Sequence, residues 1–481
     1  MKTAGSPATE GSSSISGATR HQDRLTAVTV GLAGLIGVSL ALLMPPFQFN
    51  DEHGHFARAY QLSRGEVAGH RDHAQLPAAV LSTLLRYPEG VSGQPIPRTS
   101  VADLFAGGSG EFSPPEPIGN IHELRYLSWG YLAYQIYWPV CYLPASAGIG
   151  ITRLFNLSPI SMLYAGRLMN LLSFLAALAL ALRLAPSFRA LITGLALMPM
   201  TLQQAVAVSA DSVTIAFALV GFALVLRTRE QSVDRRYLAI VLVTVPLWAM
   251  CKNSVWVLPL LLLIPASQFK SRGRRAAFVL APALATIGIL VLWRLITDDA
   301  FGQLVAAGLS RGINFESNAR MFLSHPFRVL HDVISFPDTL TYCARLMRRF
   351  VGAFGWNYVN LPVPLAPTYL LMLVIVACAE LNPKPFTTTE RAILGVVFAG
   401  ALLQTYLMLF VIDGQYANGR YAFWSAGVQG RYLIPYSLAG FLALRRNGIP
   451  SISRTLAPVV LAVSAFCRLL SVNAILKYFY H

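Results

Sequence analysis

Charged residues are scarce in this chain of 481 residues, since Asp, Glu, Lys and Arg together make up only 12% of it. A soluble domain carries about 25% charged residues, so this chain has too few to cover a surface that faces water. Hydrophobic residues make up 55% of the sequence and form long runs with almost no charge. Because a helix needs roughly 20 apolar residues to cross a bilayer, the composition predicts an all-α integral membrane protein.

Cysteine is also rare, and nucleotide-binding motifs are absent. The chain has neither a Walker-type loop nor a dinucleotide-binding glycine motif. The spacing of the cysteines predicts neither a metal-binding motif nor a disulfide framework, so we interpret them as small buried hydrophobic residues. The five are Cys141, Cys251, Cys343, Cys378 and Cys467.

Acidic residues are outnumbered, which leaves a formal net charge of +16. Such a charge can indicate a nucleic-acid partner, because Lys and Arg neutralise phosphates. Here most basic residues form short clusters between apolar runs, as the positive-inside rule expects of cytoplasmic loops. The distribution therefore favours membrane lipid as the partner and argues against nucleic acid.

The apolar runs predict about eleven spanning helices, within a range of roughly 10 to 13. Residues 1–24 are rich in Ser, Gly, Thr and Ala, so we predict a disordered cytoplasmic tail followed by a single membrane domain over 25–481. The predicted spans are 25–44, 160–182, 190–209, 212–227, 237–250, 254–268, 276–296, 367–380, 392–412, 431–444 and 455–475.

The basic clusters predict the orientation in an inner (plasma) membrane. With the amino terminus in the cytoplasm, the short basic loops all fall on the cytoplasmic side. Two large extracytoplasmic loops then cover 45–159 and 297–366. Within the first, 131–149 is rich in Tyr and Trp, which favours a juxtamembrane helix in the interface, with a full span as the alternative.

The strongest local motif follows the first predicted span. It places Asp51 and Glu52 next to His53, His55 and Arg58, at the level where water, lipid headgroups and a membrane-bound substrate meet. A carboxylate there can accept a proton from a hydroxyl group or help to hold a divalent cation. The alternative is an ordinary polar segment that caps a span.

Two cations lie where the topology predicts further outer turns. Lys252 interrupts two apolar segments, and Arg431 lies at the start of a span. An ammonium near a bilayer is costly unless it is paired or functional, and a guanidinium can bind phosphate through two parallel hydrogen bonds. A lipid-linked phosphate is therefore a natural ligand, and for Lys252 simple snorkelling to the interface is the alternative.

Four segments together resemble a known family. They are the run from Asp51 to Gln61, Lys252 ahead of an apolar stretch, Gly355-Trp356 ahead of Leu361-Pro362, and the run from Gln429 to Pro435. In combination these segments resemble the bacterial multispan membrane family called domain of unknown function twenty-one forty-two. The resemblance covers nearly the whole chain after the tail.

That family is similar in layout to the C-type glycosyltransferases, which use polyprenyl-phosphate sugars at the outer face of the membrane. The resemblance implies that an acid after the first span is the catalytic base or a metal contact. Asn50 stands where the family commonly has Pro, so the choice between Asp51 and Glu52 stays open. A second acid, Asp211 in the next outer turn, is implied as a metal or acceptor contact, with a helix cap as the alternative.

The expected function is therefore transfer of a sugar from a polyprenyl-phosphate donor to a cell-envelope glycan or lipid-linked acceptor. A divalent cation, Mg or Mn, is left open, with Asp51 and Asp211 as candidate ligands. A transporter or flippase, or a polymerase of lipid-linked glycans, is the alternative. The expected substrate-binding residues are His55, Arg58, Asp211, Lys252, Trp356, Gln429, Arg431 and Tyr432.

Overall fold

The computed structural model is almost entirely helical. It describes residues 10–68, 80, 83, 134–310, 312–334, 339–355, 357–381, 384–413, 415–417, 420–422, 428–445 and 450–480. Its few strands form two antiparallel pairs, in which β1 (Ala353–Phe354) pairs with β2 (Val359–Asn360) and β3 (Gln415–Ala417) pairs with β4 (Arg420–Ala422).

The α-helices run through the whole chain, and short 3-10 helices connect several of them. In chain order the α-helices are α1 (Glu10–Leu43), α2 (Glu52–Ser63), α3 (Leu143–Leu154), α4 (Pro159–Leu184), α5 (Arg189–Ala196), α6 (Pro199–Val206), α7 (Ala210–Glu230), α8 (Arg235–Met250), α9 (Arg272–Ile296), α10 (Asp298–Leu309), α11 (Phe315–Ser324), α12 (Pro326–Ile334), α13 (Thr339–Val351), α14 (Leu365–Ala379), α15 (Thr388–Asp413), α16 (Ile434–Leu444) and α17 (Pro450–Phe479). The 3-10 helices are Pro139–Tyr142, Pro186–Phe188, Cys251–Asn253, Val255–Leu263, Ala266–Gln268 and Gly430–Leu433.

Six helices in the described part of the chain are long and apolar enough to cross a membrane, so the protein is an all-α membrane protein. Their apolar segments are Asp23–Leu43, Pro159–Leu184, Ala210–Glu230, Arg272–Ile296, Thr388–Ile412 and Thr455–Phe479. Helix α14 is a shorter apolar helix. The larger number of about eleven spans stays a prediction.

Two predicted spans have a less regular form than expected. The segment 190–209 is divided into α5 and α6 by a break at Leu197 and Met198, immediately before Pro199. The segment 254–268 contains the long 3-10 helix Val255–Leu263, with Pro259 inside it. Proline has no backbone N–H and clashes with the preceding turn, so it interrupts regular α-helix at both places.

The structure also describes part of the predicted tail and part of the aromatic-rich segment. Helix α1 begins at Glu10, inside the range 1–24 that the composition predicts to be disordered, while residues 1–9 lie outside the described part. In the range 131–149 the chain forms the 3-10 helix Pro139–Tyr142 and then α3, which extends to Leu154. Pro139 and Pro144 stand at helix starts, the position where proline is tolerated.

The helices have two chemically different ends. At the first, the Asp51 end, α1 finishes next to α2 and next to the beginnings of α4 and α7. At the opposite, basic end, α5 begins beside the carboxyl end of α14, and the end of α7 contacts the start of α15. Several arginines lie at or next to helix termini at the basic end, namely Arg183, Arg227, Arg229, Arg235, Arg272, Arg391 and Arg445.

Glu380 joins three helices at the basic end. Its carboxylate accepts hydrogen bonds from the backbone N–H groups of Ala190 (2.8 Å) and Leu191 (3.2 Å) at the start of α5. Arg445 donates to its backbone carbonyl. Glu380 is only 7% exposed, and burial raises the pKa of its carboxyl group to about 7, although the backbone donors and Arg445 act in the opposite direction.

This pKa predicts a pH-dependent stability at the basic end. The folded state holds the Glu380 proton more tightly than the unfolded state, whose ordinary pKa is 4.5. The stabilisation from this proton is therefore complete below pH 4.5 and is lost as the pH rises through 7, by an amount on the order of 3 kcal/mol. Thermal unfolding in detergent at several pH values should show this loss in the wild type and a smaller loss in Glu380→Gln; equal slopes would contradict the assignment.

Candidate functional site

The turn after α1 directs two adjacent acids to different partners. Asp51 precedes α2 in a left-handed backbone conformation, with φ 61° and ψ 13°, which is uncommon for a residue other than glycine. Asn50 is held beside it, because its side-chain oxygen accepts a hydrogen bond from Gln203 (3.2 Å). As a result, the carboxylates of Asp51 and Glu52 take part in separate ion pairs.

Glu52 is sealed in the interior. Its side chain is fully buried and forms a two-pronged ion pair with Arg167 of α4, at 2.9 and 2.6 Å. The same guanidinium donates to the backbone carbonyls of Ala41, Met44 and Pro45. Glu52 also accepts from the backbone N–H of Val208 (3.2 Å). This pair therefore ties α1 and α2 to α4 and to the segment before α7.

Asp51 belongs to a different group of four charges, which we call the ion cluster. Its carboxylate pairs with Arg431, and a second guanidinium nitrogen of Arg431 lies 3.9 Å from Asp211. Asp211 in turn pairs with Lys252. The two outer members, Asp51 and Lys252, each have 17% of their side chains exposed, whereas Arg431 and Asp211 are 1% and 2% exposed. Charges therefore alternate from one accessible group to the other.

Asp211 does not act as the helix cap that was the alternative to a role in the site. Ser209 occupies the N-cap position of α7, and Asp211 lies in the first helical turn. One oxygen of the Asp211 carboxylate bonds to Lys252, and the other is buried without a hydrogen bond in the described structure. The helix dipole favours a negative charge at this position.

Lys252 reaches the cluster from a strained turn. Lys252 and Asn253 both have positive φ, 53° and 54°, in the 3-10 helix that ends α8. Gln404 of α15 donates to the Asn253 carbonyl (2.5 Å) and so holds the turn from the other side. The ammonium lies 4.9 Å from the centre of the Tyr432 ring, in a cation–π arrangement.

The Gln429-Gly430-Arg431-Tyr432 motif has a clear packing reason. A side chain at Gly430 would meet the Phe350 backbone nitrogen at 2.3 Å, so only glycine lets this segment pack against α13. Gln429 occupies the N-cap position of the following 3-10 helix, and its side chain forms no capping hydrogen bond. Arg431 donates to the Asn50 carbonyl (3.3 Å) and to the Tyr432 hydroxyl (3.3 Å).

Aromatic rings form a second wall of the site. The His55 ring lies 3.9 Å from the Tyr134 ring, which stacks on Tyr137 at 5.8 Å and 14°. His55 Nδ1 is hydrogen-bonded to the Tyr142 hydroxyl at 2.7 Å. Burial, together with the charges of Lys252 and Arg431, holds the pKa of His55 well below its usual value, so the ring is neutral at pH 7.

This wall lies close to the ion cluster. Burial raises the pKa of the Tyr137 hydroxyl above its ordinary value, and the nearby Tyr432, Asp211 and Asp51 raise it further. Tyr137 therefore keeps its proton and can donate a hydrogen bond. The backbone is fixed here as well, since the Trp293 indole donates to the Ile136 carbonyl at 2.8 Å.

Not all the predicted site residues meet at this place. The cluster and the aromatic wall contain Asp51, His55, Asp211, Lys252, Arg431 and Tyr432, with Gln429 at their edge. Glu52 lies in its own ion pair. Arg58 is fully buried and donates to the carbonyls of Glu66 (3.3 Å) and Val67 (2.7 Å), at the end of α2. Trp356 lies outside the described residues.

Sequence reasoning missed Arg167 and the wall formed by Tyr134 and Tyr137. Arg167 could have been found, because an arginine inside a predicted span is costly without a partner. In the described residues no group of three or more His, Cys, Asp or Glu side chains could hold a metal ion. Asp51 and Asp211 are instead bridged by Arg431, so this donor set does not fit a divalent cation between them.

Comparison with known proteins identifies one relationship. The family model described as "Predicted membrane protein (DUF2142)" matches residues 34–439. No curated protein matches the chain, and no solved structure does. The matched range contains every member of the ion cluster.

Proposed function

We propose, on the premise that the chain belongs to the family of predicted membrane proteins DUF2142, that it is a membrane glycosyltransferase. It would move a sugar from a polyprenyl-phosphate donor to a hydroxyl group of a cell-envelope glycan or lipid-linked acceptor. The observation that carries this proposal is the ion cluster, in which one carboxylate and one ammonium stay accessible at the ends of a buried chain of charges.

The charges suit a phosphate-bearing donor. With Asp51, Arg431, Asp211 and Lys252 all ionised, the cluster is neutral, so an entering phosphate must replace one of the carboxylates as a partner of the cations. Asp51 is the better candidate for displacement, because its side chain is more exposed than that of Asp211. Binding of the donor to Lys252 and Arg431 would then release the Asp51 carboxylate.

The released carboxylate would act as the base. Asp51 accepts the proton of the acceptor hydroxyl while the hydroxyl oxygen attacks the anomeric carbon of the sugar. The new glycosidic C–O bond forms as the bond from that carbon to the phosphate oxygen breaks, with inversion at carbon. The electron pair leaves with polyprenyl phosphate, whose charge Arg431 and Lys252 stabilise. Glu52 would position this site through Arg167 and take no part in proton transfer.

The aromatic wall would bind the sugar. The rings of Tyr134 and Tyr137 stack on one another and are half-buried, so they offer apolar faces next to polar groups. The C–H face of a sugar ring can lie against such a surface while its hydroxyl groups bond to the Tyr137 and Tyr432 phenols. Tyr134 and Tyr137 would thereby supply a stacking surface for the sugar.

The charge distribution supports an orientation with the Asp51 end outside an inner (plasma) membrane. The short connections at the basic end, 185–188, 231–234 and 264–271, are flanked by arginines, and short loops are those that the positive-inside rule governs. The amino terminus would then lie in the cytoplasm. Donor and acceptor would react at the outer face of the membrane, where a lipid-linked sugar serves as donor and no nucleotide is required.

Replacement of Arg431 by lysine tests the donor contact. Lysine keeps the charge but cannot reach the Asn50 carbonyl, Asp51 and Asp211 together. We therefore expect kcat/KM for the donor to fall by about 10- to 100-fold, which corresponds to the loss of one hydrogen bond to a charged group. The measurement is turnover of labelled polyprenyl-phosphate sugar at matched membrane abundance. Arg294→Lys, in an exposed pair with Asp298, is the matched control and should behave as wild type. Equal loss of activity and abundance would favour a structural arginine.

One observation favours a transporter as the second candidate. Helices α5 and α6 form a broken helix, and the buried Arg468 of α17 donates to the carbonyls of Leu197 (3.2 Å) and Met198 (2.7 Å) at the break. Discontinuous helices of this kind are typical of transporters. Membranes given a labelled lipid-linked sugar distinguish the two: a transferase releases free polyprenyl phosphate, and a transporter or flippase moves the unchanged substrate.

A further inference from the structure

Two cysteines meet at the Asp51 end from distant parts of the chain. Cys141 belongs to the 3-10 helix Pro139–Tyr142, and Cys251 begins the 3-10 helix Cys251–Asn253. Both are fully buried in one apolar cluster. Cys141 lies close enough to the Cys251 thiol to raise its pKa, and Thr214 of α7 acts on the same pKa in the opposite direction.

The other three cysteines have no such relationship. Cys343 is exposed on α13. Cys378 lies near the end of α14, where its thiol donates to the Leu444 carbonyl at the basic end. Cys467 is buried within α17. The chain therefore carries one pair of neighbouring thiols, at the end that the proposed orientation places outside.

The two cysteines precede residues of both walls of the site. Cys251 is followed by Lys252 of the ion cluster, in the turn with positive φ. Cys141 is followed by Tyr142, which is hydrogen-bonded to His55. A covalent bond between the two cysteines would therefore fix the distance between the aromatic wall and the ion cluster.

We propose that Cys141 and Cys251 form a disulfide in the mature protein. Disulfides form and persist in oxidising compartments such as the bacterial periplasm and the cell surface. The inference rests on the orientation given under Proposed function and is independent of the glycosyl-transfer chemistry. The structure contains both residues as thiols.

The oxidation needs a partner that accepts two electrons. A thiolate of one cysteine attacks the disulfide of a thiol–disulfide exchange protein and forms a mixed disulfide; the second thiolate then displaces that protein as a dithiol. One Sγ–Sγ bond forms in this protein and one breaks in the exchange protein. The two protons lost by Cys141 and Cys251 balance the two taken up by the reduced exchange protein.

The burial of both thiols indicates when the bond forms. The neighbouring Cys141 side chain, and then burial, raise the pKa of the Cys251 thiol well above its usual value, so the folded dithiol is a poor nucleophile. Oxidation should therefore take place during folding, before both thiols become buried. The finished disulfide would be protected from reduction.

The test counts blocked thiols in the full-length protein. Membranes are dissolved in SDS with N-ethylmaleimide, reduced, and treated with maleimide-polyethylene glycol, which adds mass to each thiol that had been oxidised. A Cys343→Ser background removes the exposed cysteine. Two additions are expected there, none after further Cys141→Ser or Cys251→Ser replacement, and two again after Cys378→Ser or Cys467→Ser.

Other results would overturn the proposal. If no addition occurs in the Cys343→Ser background, the two thiols are free. If additions persist after Cys141→Ser or Cys251→Ser, the disulfide involves other cysteines. A cysteine introduced at the exposed Asp298, probed with a membrane-impermeant maleimide, reports the orientation separately. Free thiols with an accessible position 298 refute the disulfide alone; free thiols with an inaccessible position 298 refute the orientation as well.

Discussion

Asp51→Asn should lower the rate of sugar transfer by about 10²- to 10⁴-fold, the usual contribution of a general base. Asparagine keeps the size of the side chain but cannot take up the acceptor proton at neutral pH. It also removes one negative charge from the ion cluster, so phosphate binding should be retained or strengthened. The expected signature is a fall in kcat with little rise in KM for the donor, measured as turnover of labelled polyprenyl-phosphate sugar.

Two controls keep this prediction specific. Asp298→Asn removes an acid that is 72% exposed and pairs with Arg294 four residues earlier, and it should leave turnover near the wild-type rate. Membrane abundance of Asp51→Asn should be normal, because Asp51 lies at the accessible end of the cluster. Wild-type turnover in Asp51→Asn at normal abundance would exclude this residue as the base.

Arg167→Met should have the largest effect on stability in the described part of the chain. It leaves the Glu52 carboxylate fully buried without its cation, and removal of one partner of a buried ion pair costs about 3–5 kcal/mol. It also removes the hydrogen bonds that Arg167 donates to the carbonyls of Ala41, Met44 and Pro45. Since a folded protein is stable by only about 5–15 kcal/mol, membrane abundance and thermal stability in detergent should both fall steeply.

A double replacement separates charge from packing. Glu52→Leu with Arg167→Met removes both charges together, so it should recover part of the stability that Arg167→Met loses. The exposed pair provides the comparison, since Arg294→Met should change stability by no more than about 1 kcal/mol. If Arg167→Met were as stable as Arg294→Met, the pair would not hold α1 and α2 to α4 as the structure indicates.

The motif after the first span shows how far sequence reasoning can reach at the site. The charge pattern located the acids, and the topology placed Asp211, Lys252 and Arg431 on the same side of the membrane. Sequence reasoning could not tell which of Asp51 and Glu52 belongs to the site, because the two are adjacent acids at nearly the same distance from the predicted span. The separation depends on one backbone angle, the positive φ of Asp51, which turns the two carboxylates toward different helices.

The broken segments show a second kind of limit. A hydropathy profile counts apolar residues and contains no information on helix type or helix breaks. It therefore predicts a continuous span for both 190–209 and 254–268. The prolines at 199 and 259 were visible in the sequence, but their effect depends on neighbours. Arg468 can donate hydrogen bonds to the carbonyl groups at the first break only because α17 packs beside that break.

The amino-acid sequence by itself determined the solvent and the class of this protein. Transfer of apolar surface out of water adds up over residues wherever they lie, so composition and run length are enough to require a bilayer. Only the tertiary structure decided which charges meet. Coulombic and hydrogen-bonding contacts act over a few ångströms, and residues 51, 211, 252 and 431 come within that range only when their helices are packed side by side.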